Sequence, residues 1–205
     1  MKSTDIDLWI VDDEPAMCLA ITRALEDFHT VYEDLEETVR YNVTSMESAA
    51  AFLERLNRHA PPQLLLLDGK LPGIEGIELM QMLAKRKTQI VTVMITAYAT
   101  LENAVKATKL GAFDFLAKPF TPAELRHTVN QASRELILIR RARELEHEKK
   151  QVRFDFLSVL AHELKSPLAA LEGYVAILRQ GTVNPEILDR MEAGRQGRRK
   201  LIADL

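Results

Sequence analysis

The chain has 205 residues, of which 47% are hydrophobic and 28% charged, with a formal net charge of −3. That length and composition fit one ordinary globular domain plus a substantial helical appendage, exclude a disordered chain, and give no support to nucleic acid as a partner. The start turns acidic before any apolar core of signal-peptide length, and no stretch approaches the roughly 20 apolar residues of a membrane span, so a cytoplasmic protein with no membrane partner is expected.

Leu8–Val11 is a short apolar run ended by Asp12-Asp13-Glu14-Pro15. It predicts a buried strand, an acidic loop and a helix opening near Pro15. That helix uses Met17, Ile21, Leu25 and Phe28, and carries the one cysteine, Cys18, as a buried structural thiol. Residues 29–40 are polar and predict an extended loop or frayed helix end, followed by a weak strand near Tyr41–Thr44. Ser45 is the expected cap of a helix containing Ala49, Phe52, Leu53 and Leu56, which Pro61-Pro62 stops. Leu64–Leu67 form a second buried strand with Asp68 at its carboxyl end. The turn Leu71-Pro72-Gly73 leads into a helix with Ile77, Leu79, Met80 and Leu83. Ile90–Ile95 make the next strand, ended by Thr96; a helix over Leu101–Leu110 stops at Gly111, and Phe113–Ala117 is the last strand, closed by Lys118-Pro119. Strands alternating with helices predict an α/β fold: a doubly wound, five-stranded parallel sheet covered on both faces.

Asp12, Asp13, Asp68, Thr96 and Lys118 all fall at carboxyl ends of predicted strands, the edge where open parallel sheets bind ligands. Carboxylates brought together repel unless one takes a proton or a cation intervenes, and a hard, oxygen-seeking ion such as Mg²⁺ suits them. An acidic loop and a surface lysine would explain any one of these residues, but not five at strand ends. The set resembles the receiver domain of bacterial response regulators, of flavodoxin-like fold, over roughly residues 5 to 130. The resemblance implies that Asp68 accepts phosphate, that Asp12, Asp13, Asp68 and the Lys70 carbonyl hold Mg²⁺, and that Thr96 and Lys118 contact the phosphoryl oxygens. It also implies that Phe115 is the switch aromatic and that Lys118-Pro119 is a cis peptide. The long segment after the first helix departs from the family pattern.

Thr121-Pro122 opens a helix with a cap and an N-terminal proline, and no breaker follows until Pro167. Leu125, Val129, Ala132, Leu136 and Ile139 form one heptad seam; Leu138, Ala142, Leu145, Val152, Phe156 and Val159 form another. The two are out of phase, so a slip is expected near residues 136–145. RRARELEHEKKQ, mixed in sign, predicts a solvated coiled-coil face rather than a nucleic-acid-binding arm. His29, His59, His127 and His147 have no companion motif.

Within FLSVLAHELKSPLAAL, Phe156, Leu157, Leu160, Leu164, Leu168 and Leu171 mark one helix face, with His162, Glu163 and Ser166 embedded in it. Pro167 frees the carbonyl of Glu163 and favours a bend. The string resembles the H-box of sensor histidine kinases, in their dimerisation and phosphotransfer domain. That likeness implies that His162 is the phospho-acceptor and Glu163 its acid/base partner. Ser166 stands where the family more often has Thr or Asn, a departure that bears on phosphatase activity. Gly181 and Asn184-Pro185-Glu186 predict a turn, with a returning helix that brings Leu201 or Ile202 opposite His162 and exposes Arg195, Arg198, Arg199 and Lys200.

The expected organisation is a receiver over 1–121, a coiled-coil linker over 122–153 continuous with the last receiver helix, and a truncated dimerisation and phosphotransfer hairpin over 154–205. Together these resemble the N-terminal part of a hybrid histidine kinase in a two-component phosphorelay. Expected partners are a second copy, through a four-helix bundle and the coiled coil, an upstream histidine kinase or phosphotransfer protein, and a downstream response regulator. ATP would be used only through a downstream domain that this chain lacks, so the chain alone should not autophosphorylate. Two rival readings are a response regulator with a dimerising helical output and a phosphotransfer protein without a kinase domain. From Pro122 to His162 is about 40 residues, or about 60 Å of helix, so the receiver is expected to act through the helix and not by trading phosphate with its own His162.

Overall fold

The computed structural model describes residues 2–86, 88–97 and 101–179. In chain order the elements are β1 (Lys2–Val11), α1 (Pro15–Leu25), β2 (His29–Tyr32), a 3₁₀ turn (Glu33–Leu35), β3 (Glu37–Met46), α2 (Ala49–Arg58) and β4 (Leu64–Asp68). They continue with β5 (Lys70–Leu71), β6 (Ile74–Glu75), α3 (Gly76–Lys85), β7 (Val91–Thr96), α4 (Leu101–Lys109), β8 (Ala112–Ala117) and α5 (Pro122–Arg179). The main sheet is ordered β2-β3-β1-β4-β7-β8. All its pairs are parallel except β2 with β3. From β1 the chain moves outward to β3 and then crosses to β4 on the other side, which makes the β1–β4 junction the point where strand order reverses.

The sheet therefore has six strands where five were expected, and it is mixed. Residues 29–46, expected as a loop and a weak strand, form an antiparallel hairpin. Along β2 the residues alternate exposed and buried, with Thr30 and Tyr32 inward, a strand period hidden by polar side chains. β3 in turn pairs with β1 over all ten residues, from Lys2↔Glu37 to Val11↔Met46. Because β3 runs to Met46, Ser45 lies within the strand, and the cap of α2 is Ser48, whose Oγ accepts from the Ala51 N–H at 3.2 Å.

Two apolar clusters lie on opposite faces of the sheet, as the twofold period of a strand requires. Leu8, Ile10, Leu64 and Leu66 pack with α1 and the first turns of α5; Trp9, Val11, Leu65 and Leu67 pack with α2 and α3. Cys18 is buried in the first cluster. His29, His59, His127 and His147 are all exposed.

Two compact units divide the chain, Met1–Arg143 and Glu144–Leu205, and α5 continues from the first into the second. In the first unit Leu125, Val129, Ala132, Leu136 and Ile137 of α5 are buried in the core. Leu138 is exposed, as are Leu145, Val152, Phe156 and Val159. At 100° per residue the two seams lie on roughly opposite sides of the helix. The slip between them therefore marks a change in what the helix buries: the first seam is the sheet-facing side of the first unit, and the second is an apolar stripe exposed among the described residues.

In the second unit α5 continues through Pro167 to Arg179. The turn at Gly181–Glu186, the returning helix with Leu201 and Ile202, and the cluster Arg195, Arg198, Arg199 and Lys200 lie outside the described residues. Among the described residues no helix is long and apolar enough to cross a membrane.

Candidate functional site

Asp12 follows the last residue of β1, Asp68 ends β4, Thr96 ends β7 and Lys118 follows β8. Four parallel strands thus deliver these side chains to one edge, and Asp13 joins them from the loop before α1. Carboxylate oxygens of Asp12, Asp13 and Asp68 lie within 4.8 Å of one another. Asp12 is 1% exposed and Asp68 6%, whereas Asp13 faces solvent. Lys118 Nζ donates to Asp12 Oδ2 at 2.7 Å and to Asp68 Oδ2 at 2.9 Å, with Glu14 Oε1 at 3.6 Å. The second oxygen of each buried aspartate accepts from backbone two residues on: Glu14 N–H to Asp12 Oδ1 at 3.0 Å, Lys70 N–H to Asp68 Oδ1 at 3.2 Å. Each carboxylate is gripped from both sides and cannot rotate freely.

Burial raises the Asp68 carboxyl above the usual aspartate range, against the pull of Lys118 and of the Lys70 N–H. Burial alone would lower Lys118, but its hydrogen bonds to Asp12 and Asp68 outweigh that and raise it, so the ammonium stays charged. Three carboxylates against one ammonium leave negative charge to spare. This all-oxygen donor set, with one ligand open to solvent at Asp13, fits a hard divalent cation. An open hollow of about 440 Å³, lined by Asp13, Glu14, Asp68, Lys70, Thr96 and Lys118 among others, leads to the cluster.

Two glycines that the sequence pattern did not single out shape this edge. A β-carbon on Gly69 would lie 2.9 Å from Thr96 Cβ and Oγ1, and one on Gly76 only 2.3 Å from the Asp68 carbonyl oxygen. Gly69 N–H donates to the Ile95 carbonyl at 2.7 Å, Gly76 N–H to the Gly69 carbonyl at 3.0 Å, and Lys118 N–H to the Thr96 carbonyl at 2.9 Å. Close backbone approach thus brings β4, α3, β7 and β8 together around Asp68. The recurrence of glycine in D-G-K-L-P-G-I-E-G was the available signal. The Lys118-Pro119 peptide is cis. Phe115 is half-buried and lines a second hollow with Gly69, Ile77, Met94, Thr96 and Ala107.

His162 and Glu163 lie on α5 in the second unit, both exposed; of Ser166, only its place in the helix is described. Around them Phe156, Leu157, Val159, Leu160, Leu164 and Leu168 are each at least 40% exposed, an apolar stripe left open among the described residues.

Comparison with known proteins divides the chain the same way. The family model for the response regulator receiver domain matches residues 8–130, and that for the His Kinase A (phospho-acceptor) domain matches residues 152–205. The chain is 32% identical over 113 residues to the DNA-binding transcriptional regulator NtrC of Escherichia coli, covering 55% of this chain and 22% of that protein. It is 36% identical over 125 residues to the response regulator protein PilR of Pseudomonas aeruginosa, covering 61% and 25%. The chain thus spans about a quarter of the length of these relatives. Among solved structures, a CheY-like response regulator receiver domain from Methanospirillum hungatei is similar with a TM-score of 0.54 at 28% identity, covering 65% of this chain and 97% of that one.

Proposed function

Because the chain belongs to the response regulator receiver family and continues into a histidine kinase phospho-acceptor segment, we propose that phosphorylation of Asp68 regulates a histidine kinase whose phospho-acceptor is His162. Two-component phosphorelay signalling is the function these domains support. The observation that carries the proposal for the first unit is the placement of Lys118 Nζ between Asp12 and Asp68, beside the exposed Asp13.

In this reading an Asp68 carboxylate oxygen attacks the phosphorus of a phosphoimidazole or small acyl phosphate in line. The bond from phosphorus to the leaving nitrogen or oxygen breaks, and the leaving group departs, an imidazole taking its proton from water. Lys118 must then exchange its contact with the Asp68 oxygen for one with the phosphoryl group, and the Thr96 hydroxyl offers that group a donor. Asp12, Asp13, Asp68 and the Lys70 carbonyl would hold Mg²⁺, whose charge offsets that of the phosphoryl oxygens when it is bound. Phe115, beside its hollow, is the proposed switch.

His162 is proposed to accept phosphate from ATP held by a domain downstream, with Glu163 as acid/base partner and Ser166 one turn further along. The exposed stripe around His162 is proposed to pair with a second copy, together with the hairpin's returning helix. Upstream kinase or phosphotransfer protein, downstream response regulator and cytoplasmic location are parts of the same proposal. The receiver is proposed to act through α5.

The direct test uses acetyl phosphate with and without Mg²⁺. The expected product is Mg²⁺-dependent, acid-stable and hydroxylamine-labile, and absent in Asp68→Ala. Removal of a ligand in Asp13→Asn should abolish the metal dependence. Label that persists in Asp68→Ala sinks the assignment.

A further inference from the structure

The hairpin β2–β3 does more than widen the sheet, because its side chains grip α5 at successive heights. Tyr32 Oη donates to the Asn130 carbonyl at 2.6 Å. Ser133 Oγ donates to the Val129 carbonyl at 2.7 Å, so the 2.9 Å contact between Tyr41 Oη and Ser133 Oγ has Tyr41 as donor. The Arg134 guanidinium meets both oxygens of Asp34 in a two-bond fork and lies over the Tyr32 ring at 5.8 Å. One heptad further, Arg141 Nη2 donates to the Leu35 carbonyl and lies 3.5 Å from Glu37 Oε2. Glu37 is itself buried, and its Oε1 accepts from Thr4 Oγ1 at 2.5 Å.

Residues 130, 134, 137 and 141 recur at fours and threes and so form one face of α5. Ile137, on that face, is the last fully buried apolar residue of the helix among the described residues; Leu138 is already 43% exposed and Ile139 is half-buried. Full apolar burial of α5 thus ends at Ile137, Ile139 is half-buried beside Met80 and Leu83, and beyond it the hold passes to Arg141. Rotating the helix by a single residue, about 100°, would break the Arg134 fork and the Arg141 contact together. Glu37 begins the strand that ends at Met46, whose carbonyl accepts from the Asp12 N–H at 3.2 Å. One ten-residue strand thus touches the acidic edge at one end and the Arg141 anchor at the other.

We propose that the β2–β3 hairpin is a clamp, fastened by Asp34–Arg134 and Glu37–Arg141, that holds α5 to the first unit as far as Arg141 and fixes its rotation. It thereby sets the direction faced by Leu138 and Ala142, the part of the second seam that lies in the first unit. As a regulatory device this rests on the reading that α5 carries the receiver's state.

The test is amide hydrogen exchange in the full chain, followed over residues 134–143 of α5 and over β4 and β7. In Asp34→Arg/Arg141→Met, exchange in 134–143 should rise about tenfold while β4 and β7 stay protected. The charge swap Asp34→Arg/Arg134→Asp should exchange more slowly in that segment than Asp34→Arg alone. Exchange in 134–143 within twofold of wild type in the double variant overturns the clamp, as does a swap that restores nothing. If the double variant loses protection in β4 as well, Asp34→Asn decides by the same segment, since both partners of that pair are half open to solvent and its loss leaves the core intact. Acetyl phosphate labelling runs in parallel: a wild-type chain that does not label at Asp68 refutes the receiver reading, whereas the exchange data judge the clamp alone.

Discussion

Gly76→Ala tests how tightly the acidic edge is packed, because two opposing effects act there and their sizes differ. Gly76 is the first residue of α3, where alanine would ordinarily favour the helix by up to about 1 kcal/mol. Its β-carbon, however, would lie 2.3 Å from the Asp68 carbonyl oxygen and 3.0 Å from both Gly69 Cα and Met94 Cε. Met94 can yield, being the far end of a flexible side chain. The first two contacts are with the backbone that carries Asp68, the proposed phospho-acceptor. The closest lies about 1 Å inside ordinary contact, so overpacking strain of about 1–3 kcal/mol should exceed the propensity gain. A net loss of about 1–2 kcal/mol corresponds to a fall in melting temperature of roughly 3–8 °C in a unit of this size. Relief of the strain displaces Asp68 from Lys118, and misplacing a reacting group by about 1 Å can cost about a hundredfold in rate. The assay is thermal melting beside the initial rate of Mg²⁺-dependent labelling by acetyl phosphate, and a rate loss of at least about tenfold is expected. A variant that melts at or above wild type and labels at the wild-type rate would show that α3 withdraws from Asp68 without cost.

Gly173 lies within α5 with nothing near its absent β-carbon, so Gly173→Ala should raise helicity and stabilise by about 0.5–1 kcal/mol; a fall in helicity by circular dichroism would contradict this. Phe52 is fully buried with its ring edge-on to Trp9 at 5.8 Å, and Phe52→Ala should cost about 3–5 kcal/mol in urea unfolding. Burial, foremost, and then the nearby Asp12 carboxylate push the Cys18 thiol above its ordinary 9.0. A raised folded-state value means that this contribution to stability is fully present below about pH 9 and is lost as pH climbs through the folded value. Iodoacetamide at pH 8.5 should accordingly modify Cys18 at the rate of unfolding, and modification as fast as in urea would show an open thiol.

The strands β1, β4 and β7 were legible because their core stretches are buried on both faces and so appear as apolar runs; Leu64 to Leu67 are all at 0% exposure. Their polar terminators were legible for the same reason, each ending an apolar run. The hairpin was not, since the inward Val39 stands among inward residues with polar groups, Thr30, Tyr32 and Tyr41. Their burial is satisfied by contacts with one another and with α5 about 90 to 100 residues away. Ser45 and Ser48 are equally good caps by composition, and the pairing of β3 with β1 decided between them. The two seams of α5 were legible as periodicities, but only the packing assigns the first to the sheet. Gly69 and Gly76 escaped notice because what forbids a side chain there is the approach of strands and a helix from elsewhere in the chain.

That α5 completes the first core also bears on the order of events during synthesis. Ile6, Leu8, Val39 and Leu64 belong to a cluster closed by Leu125, Val129, Leu136 and Ile137. The last strand of the sheet ends at Ala117, about 20 residues earlier. At translation rates of about 5–20 residues per second, the finished sheet waits roughly 1–4 s with one face open before Ile137 is made. During that interval the nascent chain presents an apolar groove to chaperones. Synonymous codon changes between residues 118 and 137 would lengthen or shorten that exposure without altering the folded protein.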